Sequence, residues 1–160
     1  MGVMVLSDGE RKLGSIMVKV FEDEFSVLQS DLISLCLEVS EGKADKIFAY
    51  TSIEGKSKMF NAFFKINGTI KALNQLGKDN QLIMQFLRIG TGDLEKIFDI
   101  CNKYNMPIPT EMKMRYEAKS GNFGSEYKYE EICSAKTGVS AAAVFLDCLS
   151  EIKQQENHVH

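Results

Sequence analysis

The stretch that decides the fold runs from Pro107 to Ile132, PIPTEMKMRYEAKSGNFGSEYKYEEI. Apolar and charged side chains alternate along it on both sides of a turn-forming segment at residues 119–122, and this is the strand period, because successive side chains leave opposite faces of a pleated backbone. The pattern predicts an antiparallel hairpin with one apolar and one charged face. The apolar face carries Met112, Met114, Tyr116, Phe123, Tyr127 and Tyr129, and the charged face carries Glu111, Lys113, Arg115, Glu117, Glu126, Lys128 and Glu130.

A second block of strands comes earlier in the chain. Residues 46–53 and 58–66 are predicted strands, separated by a turn at residues 54–56. Asn67-Gly68 then leads into residues 69–73, and this dipeptide is typical of a hairpin because both residues tolerate the positive φ angles of a type I′ turn. Because residues 58–66 carry apolar side chains on both faces, we expect this strand to lie inside the sheet rather than at its edge.

The first helix is predicted from a capping signal and a long apolar stripe. Ser7-Asp8-Gly9-Glu10 has the spacing of a capping box and indicates a helix that begins near Asp8. From Phe21 to Val39 the apolar residues step by three and four, which places them on one side of that helix. Gly42 is expected to end it.

Further helical regions lie between the two blocks of strands and after the hairpin. Helical spacing covers residues 82–87, is interrupted by glycine at residues 90–92, and resumes over residues 94–104. We therefore predict two helices here, the second ending before Pro107, which cannot continue a helix. Ser140 is expected to cap a last helix. The apolar stripe of that helix is Val144, Phe145, Cys148, Leu149 and Ile152.

The order of these elements predicts the fold class. Strands joined by tight turns form an antiparallel sheet, so we expect an α+β protein with about five strands and with helices packed on one face, in two layers. A chain of 160 residues suits a single domain, residues 1–160. Residues 1–8 and 154–160 are expected to be frayed at its ends.

Composition narrows the classes of function. The 19 basic and 22 acidic residues leave a net charge of −3, which disfavours nucleic acid as a direct partner because phosphate binding needs a basic surface. The cysteines at positions 36, 101, 133 and 148 form no C-x-x-C pair, which is typical of buried thiols in a reducing compartment. No signal peptide and no apolar run of about 20 residues is visible, so we expect a cytoplasmic protein without a membrane segment.

A search for catalytic residues finds few candidates. The only histidines are His158 and His160, in the tail, where they could bind a metal only opportunistically. Without another histidine a Ser-His or Cys-His nucleophile pair is excluded. Gly90-Thr91-Gly92 lacks the lysine and the preceding strand of a phosphate loop. The residues therefore predict a non-enzymatic binding domain with no catalytic residue, cofactor or metal, although the sheet carboxylates leave a small acid–base enzyme as an alternative.

Two segments carry a resemblance to a known family. Residues 45–70, DKIFAYTSIEGKSKMFNAFFKINGTI, and residues 106–132, MPIPTEMKMRYEAKSGNFGSEYKYEEI, resemble the two conserved strand-and-turn blocks of the YezG-like immunity (antitoxin) proteins of bacterial polymorphic-toxin systems. The similarity covers roughly residues 31–152. The chain departs from the family in having no tryptophan and in a less acidic loop at residues 134–139.

The resemblance implies a small cytoplasmic bacterial protein that binds and neutralises a cognate toxin of a polymorphic or contact-dependent system. That toxin is often a nuclease, and the mechanism implied is stoichiometric occlusion without turnover. The mild acidity of the chain agrees with such a partner, because a nuclease is basic where it grips phosphates.

The family motifs define no interface, so the binding residues are predicted from charge. We expect the partner at the outward sheet face, through Glu111, Glu117, Glu126 and Glu130, with Glu54 at the nearby turn. Two other hypotheses stay open: a non-catalytic adaptor or structural protein that self-associates through a sheet edge or the N-terminal helix, and the small enzyme using the sheet carboxylates. The oligomeric state also stays open.

Overall fold

The computed structural model describes residues 8–133 and 137–157. The predicted features at residues 1–7, in the loop at residues 134–136 and at the histidines of residues 158–160 lie outside this range. Within it are three α-helices and a five-stranded antiparallel sheet, which confirms the α+β class and the strand number. In chain order the elements are α1 (Asp8–Val39), β1 (Lys46–Glu54), β2 (Ser57–Ile66), β3 (Thr69–Ala72), α2 (Asn80–Lys103), β4 (Glu111–Glu117), β5 (Phe123–Lys128) and α3 (Ala141–Asn157).

The strand order is β3-β2-β1-β4-β5, so β1 lies at the centre and β2 inside the sheet, as its apolar faces predict. Side chains of β1 are buried on both faces. Ile47 and Ala49 belong to one core with α1 and α2, and Phe48 and Tyr50 belong to a second core with Phe145 of α3. The expectation of helices on one face only is therefore wrong, and the molecule has three layers. The physical reason is the unbroken apolar run in β1, which needs cover on both sides.

The prediction of two helices between residues 82 and 104 is also wrong, because α2 is continuous through the glycines. Gly90 is buried, and a Cβ atom there would lie 2.0 Å from Cδ1 of Phe60. The Phe60 ring also packs on Phe86 with its centroid 5.2 Å away. Gly90 is thus a site of close approach between a helix and the sheet, and it does not break the helix.

The long helix α1 packs on the sheet beside α2, and its N-terminal part extends past the C-terminal end of α2. Its ring contact from Phe21 to Tyr104 has a centroid distance of 5.9 Å, and the carboxylate of Glu24 lies 3.8 Å from Nζ of Lys103, so this part of α1 lies at the C-terminal end of α2. Residues 12–20 of α1 are exposed throughout. We call these residues the α1 arm.

The last helix begins as predicted, with the Ala143 amide donating to Oγ of Ser140 at 3.1 Å. Its apolar stripe packs on Phe48, Tyr50, Phe63 and Ile70 of the second core. Residues 154–157, expected to be frayed, form its last turn, and Glu156 in that turn is buried. In the ranges that the structure describes, no helix combines the length and apolarity that a membrane crossing requires.

The cysteines follow the sequence expectation. Cys36, Cys101 and Cys148 are buried and Cys133 is partly buried, each as a free thiol. Burial raises the pKa of the Cys36 and Cys101 thiols above the ordinary value, which keeps both protonated near neutral pH.

Candidate functional site

The second face of the sheet is held to α3 by a cluster of charges around Glu156. This carboxylate accepts hydrogen bonds from Nζ of Lys65 at 2.6 Å, from Nζ of Lys46 at 3.2 Å and from a guanidinium nitrogen of Arg115 at 3.0 Å. The Glu156 side chain is only 4% exposed. Burial pushes the pKa of Glu156 upward, but the hydrogen bonds and charges of Lys65 and Lys46 outweigh it, so the net pKa lies below the ordinary value.

This cluster joins β1, β2 and β4 to a single residue of α3. Lys65, Lys46 and Arg115 lie on the neighbouring strands β2, β1 and β4, in that order. Like charges so close together would repel one another without the carboxylate. The face of the sheet that packs against α3, which we call the outer face, is therefore basic across these three strands. The carboxylate of Glu156 from α3 neutralises this charge.

Beside α3 the outer face opens into a cleft of about 420 Å³ between that helix and the β4–β5 hairpin. Phe48 and Phe63 line its apolar part, and Cys148 of α3 also lines it. Burial raises the pKa of Cys148 despite the nearby Lys113, so the thiol is protonated near neutral pH and is a poor nucleophile. The charged side chains that line the cleft, of both signs, are Lys113, Arg115, Glu126 and Glu151.

Two of the predicted partner-binding carboxylates have structural roles. Glu111 is only 2% exposed, and its Oε2 accepts a hydrogen bond from the Tyr50 hydroxyl at 2.9 Å. Glu54 accepts from the backbone amides of Ile132 at 2.7 Å and Cys133 at 2.5 Å, which ties down the chain after β5. The placement of Glu111 on an open surface is therefore wrong. The second core and α3 cover its side of the sheet.

The other three carboxylates lie nearer to solvent but do not form one patch with these two. Glu117 accepts from the Ser120 hydroxyl at 2.9 Å and belongs to the hairpin turn. Glu126 and Glu130 are exposed, and Glu126 lies opposite Lys113 in the register of the hairpin. Only Glu126 and Glu130 of the predicted set therefore keep carboxylates that are open to a partner.

Replacing Tyr50 with phenylalanine tests the buried pair. Burial, and after it the hydrogen bond to Glu111, raises the pKa of the Tyr50 hydroxyl, so it remains a donor. Its loss leaves a carboxylate at 2% exposure whose ion-pair partners Lys113 and Lys128 are 3.7 and 3.9 Å away. We expect the free energy of unfolding to fall by about 1–3 kcal/mol in urea titrations.

The control for this prediction is the double variant Tyr50→Phe with Glu111→Gln, which removes the charge together with its donor. The two substitutions should couple, because they share one hydrogen bond. Additive effects of the two single variants would contradict the structural role of the pair.

Three aromatic side chains of the hairpin, which the alternation pattern assigned to the core, are exposed in the structure. Phe123, Tyr127 and Tyr129 follow the apolar face of the hairpin, yet they are 45%, 39% and 55% exposed. They lie on or next to β5, which is an edge strand with no partner on its outer side in the part of the chain described. Tyr127 alone is anchored to α1, where Nε2 of Gln29 donates to its hydroxyl at 2.7 Å.

We call the exposed side chains along this strand the β5 edge: Phe123, Tyr127 and Tyr129 on its apolar face, and the carboxylates Glu126 and Glu130 on its opposite face. The position of β5 at the edge of the sheet explains why the alternation pattern did not predict that these aromatic side chains are exposed. A strand at the edge is covered by helices only as far as they reach, so its apolar face is partly open. The alternation shows which side chains share a face, but it does not show how much of that face the helices cover.

The described residues contain no group of three or more His, Cys, Asp or Glu side chains arranged to hold a metal ion. No protein-family model and no curated protein matches the sequence.

Proposed function

We propose that this chain is a cytoplasmic immunity protein, which binds a cognate toxin domain at the β5 edge and neutralises it by stoichiometric occlusion, without turnover. The observation that carries the proposal is an edge strand with exposed aromatic side chains. The resemblance of residues 45–70 and 106–132 to YezG-like immunity proteins supplies the class of partner.

Aromatic side chains support protein binding at this surface. Phe and Tyr are enriched in protein interfaces because they bury a large area with few rotatable bonds. An edge strand also offers unpaired backbone amides and carbonyls, to which an extended segment of a partner can add as a further strand.

The charges at the β5 edge favour a basic partner. Glu126, Glu130 and Glu131 are exposed there, and the one lysine among them, Lys128, lies 3.9 Å from buried Glu111, which offsets its charge. A nuclease toxin presents a basic surface where it holds phosphates, so these carboxylates would speed its capture and cover its active site.

The test is binding of the toxin domain encoded next to this chain, in its catalytically inactive form, measured by calorimetry. We expect a one-to-one complex with the wild-type protein. Phe123→Ala and Tyr129→Ala should each weaken binding at least about tenfold, because exposed aromatic residues are typical anchors of interfaces. Co-expression with the active toxin should restore growth for the wild type and less so for these variants.

The matched control is Leu146→Ala on α3, an exposed apolar residue away from β5. It should bind the toxin as the wild type does. Circular dichroism spectra and melting temperatures should be unchanged in all three variants. The absence of any complex would reject the function, and unaltered affinity of both aromatic variants would reject the β5 edge as its surface.

A further inference from the structure

The α1 arm carries an apolar stripe that residues 8–133 and 137–157 leave exposed. Leu13, Ile16, Met17 and Val20 are spaced by three and four, which places them on one side of the helix. All four are exposed, Leu13 at 60%. At about 1.5 Å per residue the arm extends on the order of 13 Å along the axis of α1. Contiguous apolar surface of this kind marks an interaction site.

We propose that the α1 arm binds the arm of a second copy of this chain, as an antiparallel helix pair with its two-fold axis beside Met17. In this register Leu13 of one copy lies near Val20 of the other, since they are four and three residues from Met17. Ile16 and Met17 lie at the centre next to their counterparts.

Charge complementarity identifies the occupant as a second copy and sets its orientation. Lys12 precedes the stripe, and Glu22 and Asp23 follow it; all three are exposed. At about 100° per residue, Lys12 and Asp23 lie on the same flank of the stripe, and Glu22 lies on the opposite side of the helix. Antiparallel pairing therefore places every Lys12 near Asp23 of the second copy. A parallel pair would instead bring lysine to lysine and acid to acid, which is unfavourable. The arm is thus complementary to itself in only one direction.

The size of the contact predicts a weak dimer. Two helices that meet over residues 12–23 bury less than the roughly 1,200–2,000 Å² of a standard stable interface. We therefore expect a dissociation constant on the order of micromolar, and an equilibrium that shifts with protein concentration.

The first experiment is sedimentation equilibrium of the full chain over a roughly hundredfold range of concentration. The mass should rise from 18.0 kDa towards twice that value for the wild type. Leu13→Lys should remain monomeric at every concentration. Its matched control is Leu146→Lys on α3, since Leu13 and Leu146 are 60% and 59% exposed, and this control should dimerise as the wild type does. A wild type that stays monomeric would overturn the proposal.

The second experiment tests the orientation by exchanging charges. Lys12→Glu places acid against Asp23 of the second copy at both ends of the pair, and should weaken the dimer at least about tenfold. Adding Asp23→Lys to this variant should restore it. Failure of this rescue, or a Lys12→Glu protein that dimerises normally, would overturn the antiparallel pairing. Because Phe123 and Tyr129 are untouched, these outcomes are independent of toxin binding at the β5 edge.

Discussion

Gly90→Ala is expected to destabilise the fold by about 3 kcal/mol, at the upper end of the range for overpacked cores. The added Cβ would lie 2.0 Å from Cδ1 and 2.6 Å from Cε1 of Phe60. That ring is 3% exposed and packs on Phe86, so it has no free space to move into. Urea titration and thermal melting should both report the loss, with a melting temperature lower by roughly 6–12 °C for a protein of this size.

Gly92→Ala is the matched control, two residues later in α2. Nothing lies within 4 Å of its Cβ position, and the helix continues through it. Alanine is the better helix former by about 1 kcal/mol, so this variant should be more stable than the wild type. Opposite signs for the two substitutions would show that α2 is one helix held close to β2 at Gly90.

A second-site change separates the contact from helix propensity. Phe60→Leu removes the ring that meets the new Cβ, so it should lessen the effect of Gly90→Ala even though it is destabilising alone. If Gly90→Ala proves as stable as Gly92→Ala, the close approach of α2 to the sheet is contradicted.

Glu156→Gln is expected to have the second-largest effect, a loss of about 2–3 kcal/mol in the free energy of unfolding at neutral pH. Three cations converge on this carboxylate, and removing one partner of a buried charge cluster leaves the others uncompensated. The value lies below that of a fully buried cluster because the Arg115 side chain is 53% exposed and solvent screens part of its charge.

The pH dependence of this effect has a definite sign. Because the folded-state pKa of Glu156 is below the ordinary value of 4.5, its stabilisation is present above pH 4.5 and is lost as the pH falls through the lower folded value. The difference in unfolding free energy between wild type and Glu156→Gln should therefore shrink below about pH 4.5. Urea titrations across this range measure it.

Glu151→Gln is the control for Glu156, since it makes the same change at an exposed position of α3. Surface substitutions of this kind usually change stability by less than about 0.5 kcal/mol. A Glu156→Gln protein that behaves like Glu151→Gln at neutral pH would mean that the charge cluster does not hold α3 to the sheet.

Local chemistry was sufficient to predict the strands and the ends of most helices. The alternation at residues 111–117 and the turn at Asn67-Gly68 act between neighbouring residues, and both elements form where predicted. The same holds for Ser140 at the start of α3 and for the burial of Cys36 and Cys101. These features depend on backbone geometry and periodicity, which a linear sequence contains directly.

The features that were wrong or missed all depend on residues far apart in the chain. Gly90 stays helical because Phe60 occupies the space beside it, and Glu111 is buried because Tyr50 and α3 cover its face. Glu156 orders the last turn of α3 only because Lys46, Lys65 and Arg115 meet on one face of the folded sheet.

The candidate site likewise combines features that local sequence predicts with features that depend on distant parts of the chain. Periodicity predicted which face of the hairpin carries Phe123 and Tyr127, but the position of β5 at the sheet edge, beyond the full cover of α1, determines that they are exposed. The stripe of the α1 arm is likewise visible in the sequence, while its exposure within the described part of the chain depends on where α2 ends. Periodicity reports which side chains share a face, and only the packing of distant segments determines whether that face is covered or open to a partner.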